Sequence, residues 1–247
     1  MYYLPTVVAG EKPPKEVETT SFATNQWSSY DLTLPQTIES DEFEQAWANF
    51  LYVLSTQRSA TASQALKETM QLSASTPEAL DALFALGEKY LYDPNSPMRN
   101  DELFIPMLEF MIDSPAVDEL LKIRPTALLR MASLNRIGNQ ANNFTTDSGE
   151  ELDDIEAPLT LLYFYDPECT DCKRTAAVMS RSTLLQELEK SGTLRIIKTL
   201  TEGNTQIDSL YDLKAIPSLY LLDSEKRVML KDATIETTIQ ALSNYKQ

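Results

Sequence analysis

Residues 159–172 read LTLLYFYDPECTDC, and the fold is decided there. Leu159 to Tyr165 is a continuous apolar and aromatic run, as a strand buried on both faces requires. Asp166, Pro167 and Glu168 make a turn, and Cys169 and Cys172 follow at the start of the next helix. They are the only two cysteines in the chain. Two cysteines placed at random in a chain of this length would fall at this spacing on the order of 1% of the time. A thiolate, not a thiol, attacks a disulfide, and a helix N-terminus stabilises negative charge through its free amides and its dipole. One helical turn brings the second sulfur within reach of the first, so Cys172 can resolve a mixed disulfide formed on Cys169. Cys169 is therefore expected as the exposed nucleophile and Cys172 as the more buried resolver. Lys173 and Arg174 favour the thiolate, while Asp166, Glu168 and Asp171 oppose it, which predicts a modest net lowering of the nucleophile's pKa. A static disulfide is the competing reading, although so small a ring removes little unfolded-state entropy. A metal-binding role for the pair is a further one.

Outward from the pair, a helix is expected over about 170–190, with Ala176, Ala177, Met179, Leu184, Leu185 and Leu188 on its apolar positions. Leu194 to Leu200 reads as a strand and 205–213 as a short helix. Ala215-Ile216-Pro217-Ser218 then leads into a strand from Ser218 to Asp223. Proline is accepted at the first residue of a strand and X-Pro is the common site of cis peptide bonds, so Ile216–Pro217 is expected to be cis and close to the two cysteines. Placed there, it exposes the backbone of Ile216 for strand-like pairing with an incoming peptide. Val228–Leu230 pairs back across a turn at Ser224–Lys226, and a helix over 234–244 closes the chain. Upstream, 144–151 reads as a hairpin with an Asp-Ser-Gly turn. Strands and helices alternating in this order predict a layered α/β domain with a mixed sheet over 138–247.

The first half has a different texture. From 36 to 137 the periodicity is helical, and Phe43, Trp47, Phe50, Leu51 and Leu54 form one apolar stripe. Leu66, Met70 and Leu72 mark a shorter helix. Thr76-Pro77-Glu78 starts another, with Leu80, Leu83, Phe84 and Leu86 inward up to Tyr90. Asp93–Pro97 breaks the chain. Leu103, Met107, Leu108, Met111 and Ile112 follow on one helix, and Val117, Leu120 and Leu121 on a next one capped by Ser114-Pro115. That helix is expected to stop at Arg124-Pro125, leaving 126–136 as the last. Residues 1–35, with prolines at 5, 13, 14 and 35, read as an extended arm. The fold class expected is two-domain α+β, a helical domain followed by the α/β one.

The chain has 247 residues with 21 Lys+Arg against 37 Asp+Glu and no His, a formal net charge of −16. Such acidity disfavours nucleic acid or an anionic membrane surface as partner. The lack of histidine removes a Ser-His-Asp triad, a Cys-His dyad and a His-ligated metal. No cofactor or metal is expected. No apolar run reaches the length of a transmembrane helix, and Met1 to Lys15 lacks the basic start of an export signal. The chain is either cytoplasmic or a mature form.

LLYFYDPECTDC, followed by a helix and then AIPSLYLLD, resembles thioredoxin-like thiol–disulfide oxidoreductases. The spacing Gly138-x-x-Ala141-x-x-Phe144 and the hairpin closed at Gly149 look like the TlpA/ResA-like envelope branch. The helical half, with YDPNSPMRNDEL and KIRP, resembles a domain of unknown function that precedes such modules in some bacterial envelope proteins. The resemblance implies a thioredoxin fold over 138–247, Cys169 as nucleophile, Cys172 as resolver and Pro217 as the cis proline that positions substrate with Ile216. It also implies a periplasmic or envelope location, protein disulfide substrates, an upstream redox partner and, from Ile216 before the proline, a reductase. Glu168 stands where the family commonly has Trp. Tyr163 replaces the acid buried under the site, and Thr175 stands where the ResA-like branch has a buried Glu, so slow proton transfer at Cys172 is expected. The rival reading is a non-catalytic adaptor, with a partner-binding helical domain and a thioredoxin-like scaffold.

Overall fold

Ser40 stops the chain from continuing as coil: its Oγ accepts the Phe43 amide at 3.2 Å, and Asp41, Glu42 and Glu44 place negative charge on the first turn. In the computed structural model, which describes residues 1–6 and 22–245, this cap opens one of seven helices in a first unit spanning Met1–Ser133. They are α1 (Phe22–Gln26), α2 (Pro35–Ile38), α3 (Asp41–Ser55), α4 (Ser59–Ser73), α5 (Pro77–Leu91), α6 (Asp101–Asp113) and α7 (Ile123–Ala132). The predicted stripe of α3 is buried throughout, and the rings of Phe43, Trp47 and Phe50 gather around Trp27. Trp27 Nε1 donates to Thr69 Oγ1 at 2.9 Å, which satisfies its polar edge inside the core. Gly87 lets α5 close on α6, because a Cβ there would stand 2.3 Å from Met107 Cε.

Four expectations change in this unit. Residues 7–21 of the expected arm lie outside the described residues, but from 22 onward the chain is no arm. Ala23, Trp27 and Leu32 are core residues, and the Tyr3 amide near the start donates to Tyr90 Oη at 2.7 Å. One large indole is enough to seat a stretch whose neighbours are polar. The helix expected from Ser114 is instead a run of turns, and Leu120 and Leu121 are 76% and 54% exposed. Pro125 does not end a helix; it sits in the first turn of α7, where a missing N–H has no intrahelical partner to lose. Leu72 and Ile112 are also less buried than expected.

The second unit, Leu134–Gln247, contains β1 (Leu159–Tyr165), α8 (Thr170–Arg181), α9 (Thr183–Lys190), β2 (Leu194–Leu200), α10 (Thr205–Leu210), β3 (Ser218–Leu222), β4 (Val228–Ala233) and α11 (Ile235–Tyr245). The helix expected over 170–190 is two, because Ser182 turns extended and caps α9 through the Leu185 amide. The sheet order is β2-β1-β3-β4, with β1 and β2 parallel and the other pairs antiparallel. This is the mixed sheet predicted. β1 is central, so Leu162 and Phe164 pack on one face with Phe144, Tyr211 and Tyr220. Leu159, Leu161 and Tyr163 pack on the other with Leu185, Leu219 and Leu242. The hairpin over 144–151 exists as a single bridge, Thr145 to Glu151, turned by Gly149 at φ +83°. No helix among the described residues is long and apolar enough to cross a membrane.

Candidate active site

Register brings the sequence-distant parts of the site together. Ser218 pairs with Phe164 in the antiparallel β1–β3 ladder, so Pro217 arrives at the end of β1 from which the chain turns into Cys169. The Asp166 side chain accepts the Glu168 amide at 2.6 Å and its carbonyl accepts the Cys169 amide, which shapes the turn. Cys169 is the N-cap of α8, and its Sγ accepts the Cys172 amide at 3.1 Å. The cap position usually filled by a hydroxyl or carboxylate is filled by sulfur, which points one of the helix's free amides at the atom that carries charge as a thiolate.

Ile216–Pro217 is a cis peptide, and Cys169 Sγ donates to the Ile216 carbonyl oxygen at 3.6 Å. Cys169 is half-buried whereas Cys172 is only 2% exposed. All four residues singled out in the sequence thus meet at one end of the two inner strands, β1 and β3. Arg174 is paired with Asp171 at 2.9 Å, so two of the charges expected to compete at the motif offset each other.

Beneath the pair, Tyr163 is buried and its hydroxyl donates to the Cys172 carbonyl at 2.7 Å. In the sequence Tyr163 stands only as a replacement for an acid; its hydrogen bond to the first turn of α8 is a tertiary contact between β1 and the helix. Burial pushes the phenol up to about 12. Burial, opposed in part by a backbone hydrogen bond at Asp166 and reinforced by the Cys169 sulfur, pushes the Cys172 thiol up to about 11. Among the described residues no group of three or more His, Cys, Asp or Glu side chains is placed to hold a metal ion.

Residues 17–135 match the family model of a domain of unknown function, DUF5106. The chain is 30% identical over 91 residues to Thioredoxin 1 of a Nostoc species, spanning 80% of that protein and 36% of this one. It is 31% identical to a thioredoxin-like protein from Bacteroides caccae ATCC 43185 of known crystal structure, with a TM-score of 0.82 over 99% of this chain and 98% of that one. This chain belongs to the thioredoxin-like family. Membership gives this thioredoxin-like protein a role in redox chemistry in general terms.

The shifted Cys172 thiol yields a pH prediction for the reduced thioredoxin-like protein. An unfolded cysteine titrates near its ordinary value of about 8.5. The folded thiol titrates higher, so its contribution to stability is complete below the unfolded value and is lost as pH rises towards about 11. The urea midpoint of the reduced protein should fall across that window by more than the midpoint of Cys172→Ser does. Equal falls in both proteins would contradict the assignment.

Proposed function

We propose that this protein is a thiol–disulfide oxidoreductase of the cell envelope that reduces disulfides in other proteins through Cys169 and Cys172. The observation that carries the reading is the half-buried Cys169 sulfur at the N-cap of α8, with Cys172 shielded one turn behind it and the Ile216 carbonyl alongside. Cys169 as thiolate attacks one sulfur of a substrate disulfide. A new S–S bond forms, the substrate S–S bond breaks, and the released thiolate takes a proton from water. Cys172 then loses its proton to water and attacks Cys169 Sγ, expelling the second substrate thiolate and leaving a Cys169–Cys172 disulfide. Two electrons have passed to the substrate, and an upstream dithiol protein returns them by the same exchange.

Tyr163 supplies no carboxylate under Cys172, and the thiol is held high, so the second step is the slow one at neutral pH. Ile216 before the proline, as in reducing thioredoxins, supports the reductive direction, and the envelope placement rests on the TlpA/ResA-like resemblance. Supplied with a dithiol reductant, the protein should accelerate the reduction of insulin. Iodoacetamide at pH 7 should modify Cys169 alone and stop turnover. A Cys169 that neither alkylates nor forms a reversible disulfide would instead make the chain a non-catalytic scaffold.

A further inference from the structure

The segment that carries Ile216 and Pro217 is fixed at three points. Before it, the carbonyl of Leu210 accepts from the side-chain amides of both Asn135 and Asn142 at 2.8 Å, and buried Tyr211 donates its hydroxyl to the Asn142 carbonyl at 2.7 Å. At its start, Lys214 Nζ lies 2.6 Å from Asp212 Oδ2, with the two side chains only 3% and 5% exposed. At its end, Ser218 Oγ donates to Asp232 Oδ1 at 2.9 Å.

Neither carboxylate is there by default. A buried ion pair is often no more stable than apolar side chains of the same volume, so one just ahead of the Ile216–Pro217 segment calls for a reason other than stability. Asp232 reaches Ser218 because β4 carries an extra residue. Leu219 faces Ala233 while Leu221 faces Leu230, and Asp232 turns to φ +53° inside that bulge. Bulges re-aim side chains, and aspartate is one of the few L-residues that tolerates this backbone region. The result brackets Ile216–Pro217 between two anchored carboxylates, one held through Lys214 before it and one through Ser218 after it.

We infer that Asp212, through Lys214, and Asp232, through Ser218, are positioning residues that hold the Ile216–Pro217 segment in the geometry a protein disulfide needs. The inference rests on the function proposed above. A small disulfide needs only the Cys169 sulfur; an extended polypeptide must also lie along the backbone at Ile216, so a loosened segment penalises it selectively.

The test uses the full chain. Initial rates are measured with cystamine, a small disulfide, and with insulin, each over a range of concentrations. Ser218→Ala and the double variant Asp212→Asn/Lys214→Met should raise the KM for insulin about tenfold or more, since small misplacements of a binding element are costly. Their rates with cystamine should stay close to that of the unaltered protein. Asp232→Ala should behave likewise, whereas Asp232→Asn, which keeps an acceptor and tolerates the same backbone, should retain the low KM. Ser218→Ala is mild enough to keep the comparison open where the double variant does not fold. Unchanged KM in folded variants, or equal losses with both disulfides, would overturn the inference. An unaltered protein that reacts with neither disulfide would instead contradict the proposed function and the inference with it.

Discussion

Replacing Cys169 with serine removes disulfide exchange, with an expected loss of at least about 10³-fold, because a neutral hydroxyl does not attack sulfur at pH 7 and the remaining thiol, Cys172, is buried and held protonated. Cys172→Ser has a different outcome. The first attack survives, since Cys169 keeps its place at the α8 N-cap, but no resolver follows. The protein should then accumulate as a mixed disulfide with its substrate, visible as a reducible, higher-mass species. The asymmetry is the content of the prediction. It follows from one half-buried sulfur and one sulfur 2% exposed. Cys169→Ser with full activity, or the same trapped species in both variants, would contradict the assigned order of attack.

The second large effect belongs to the helical unit. Trp47→Ala should destabilise it by about 3–5 kcal/mol, because the indole is fully buried between Phe43, Phe50 and Trp27 and leaves a cavity that rigid rings cannot refill. Trp47→Phe should cost much less. The Trp47 Nε1 has no hydrogen-bond partner among the described residues, so its removal also relieves a desolvation cost of about 1–3 kcal/mol. Both tryptophans of the chain lie in this unit, so the fluorescence of Trp27 can follow urea unfolding in each variant. Equal destabilisation by Ala and Phe would mean that the indole N–H is satisfied in solution.

The site was legible because its parts are written locally. The run from Leu159 to Tyr165 can only be a strand with both faces buried, and a cysteine pair at one-turn spacing after it can only sit at the next helix start. Pro217 needed a second step, the inference that a strand begins at Ser218, and the pairing of Ser218 with Phe164 is what turns that into proximity. What sequence missed is non-local. Trp27 lies in a polar stretch and reveals itself only through rings supplied by α3. Pro125 reads as a stop, but whether a proline ends a helix or starts one depends on where the preceding turns leave the chain. Asp232 reads as an ordinary strand-end acid until the extra residue in β4 turns it toward Ser218. The hydroxyl of Tyr163 has the same character. Its position on β1 is written in the sequence, and its partner on α8 is not.

The central claim is that Cys169 and Cys172 form a working redox couple, and an equilibrium titration of the pair against thiol–disulfide buffers of known potential tests it most directly. The proposed reductase predicts one reversible two-electron transition, lost in Cys169→Ser and in Cys172→Ser, at a potential more negative than about −200 mV, within the range of reducing members of the fold. A pair that stays reduced or stays oxidised across the accessible range, or that titrates near the about −120 mV of a strong oxidant, would contradict it.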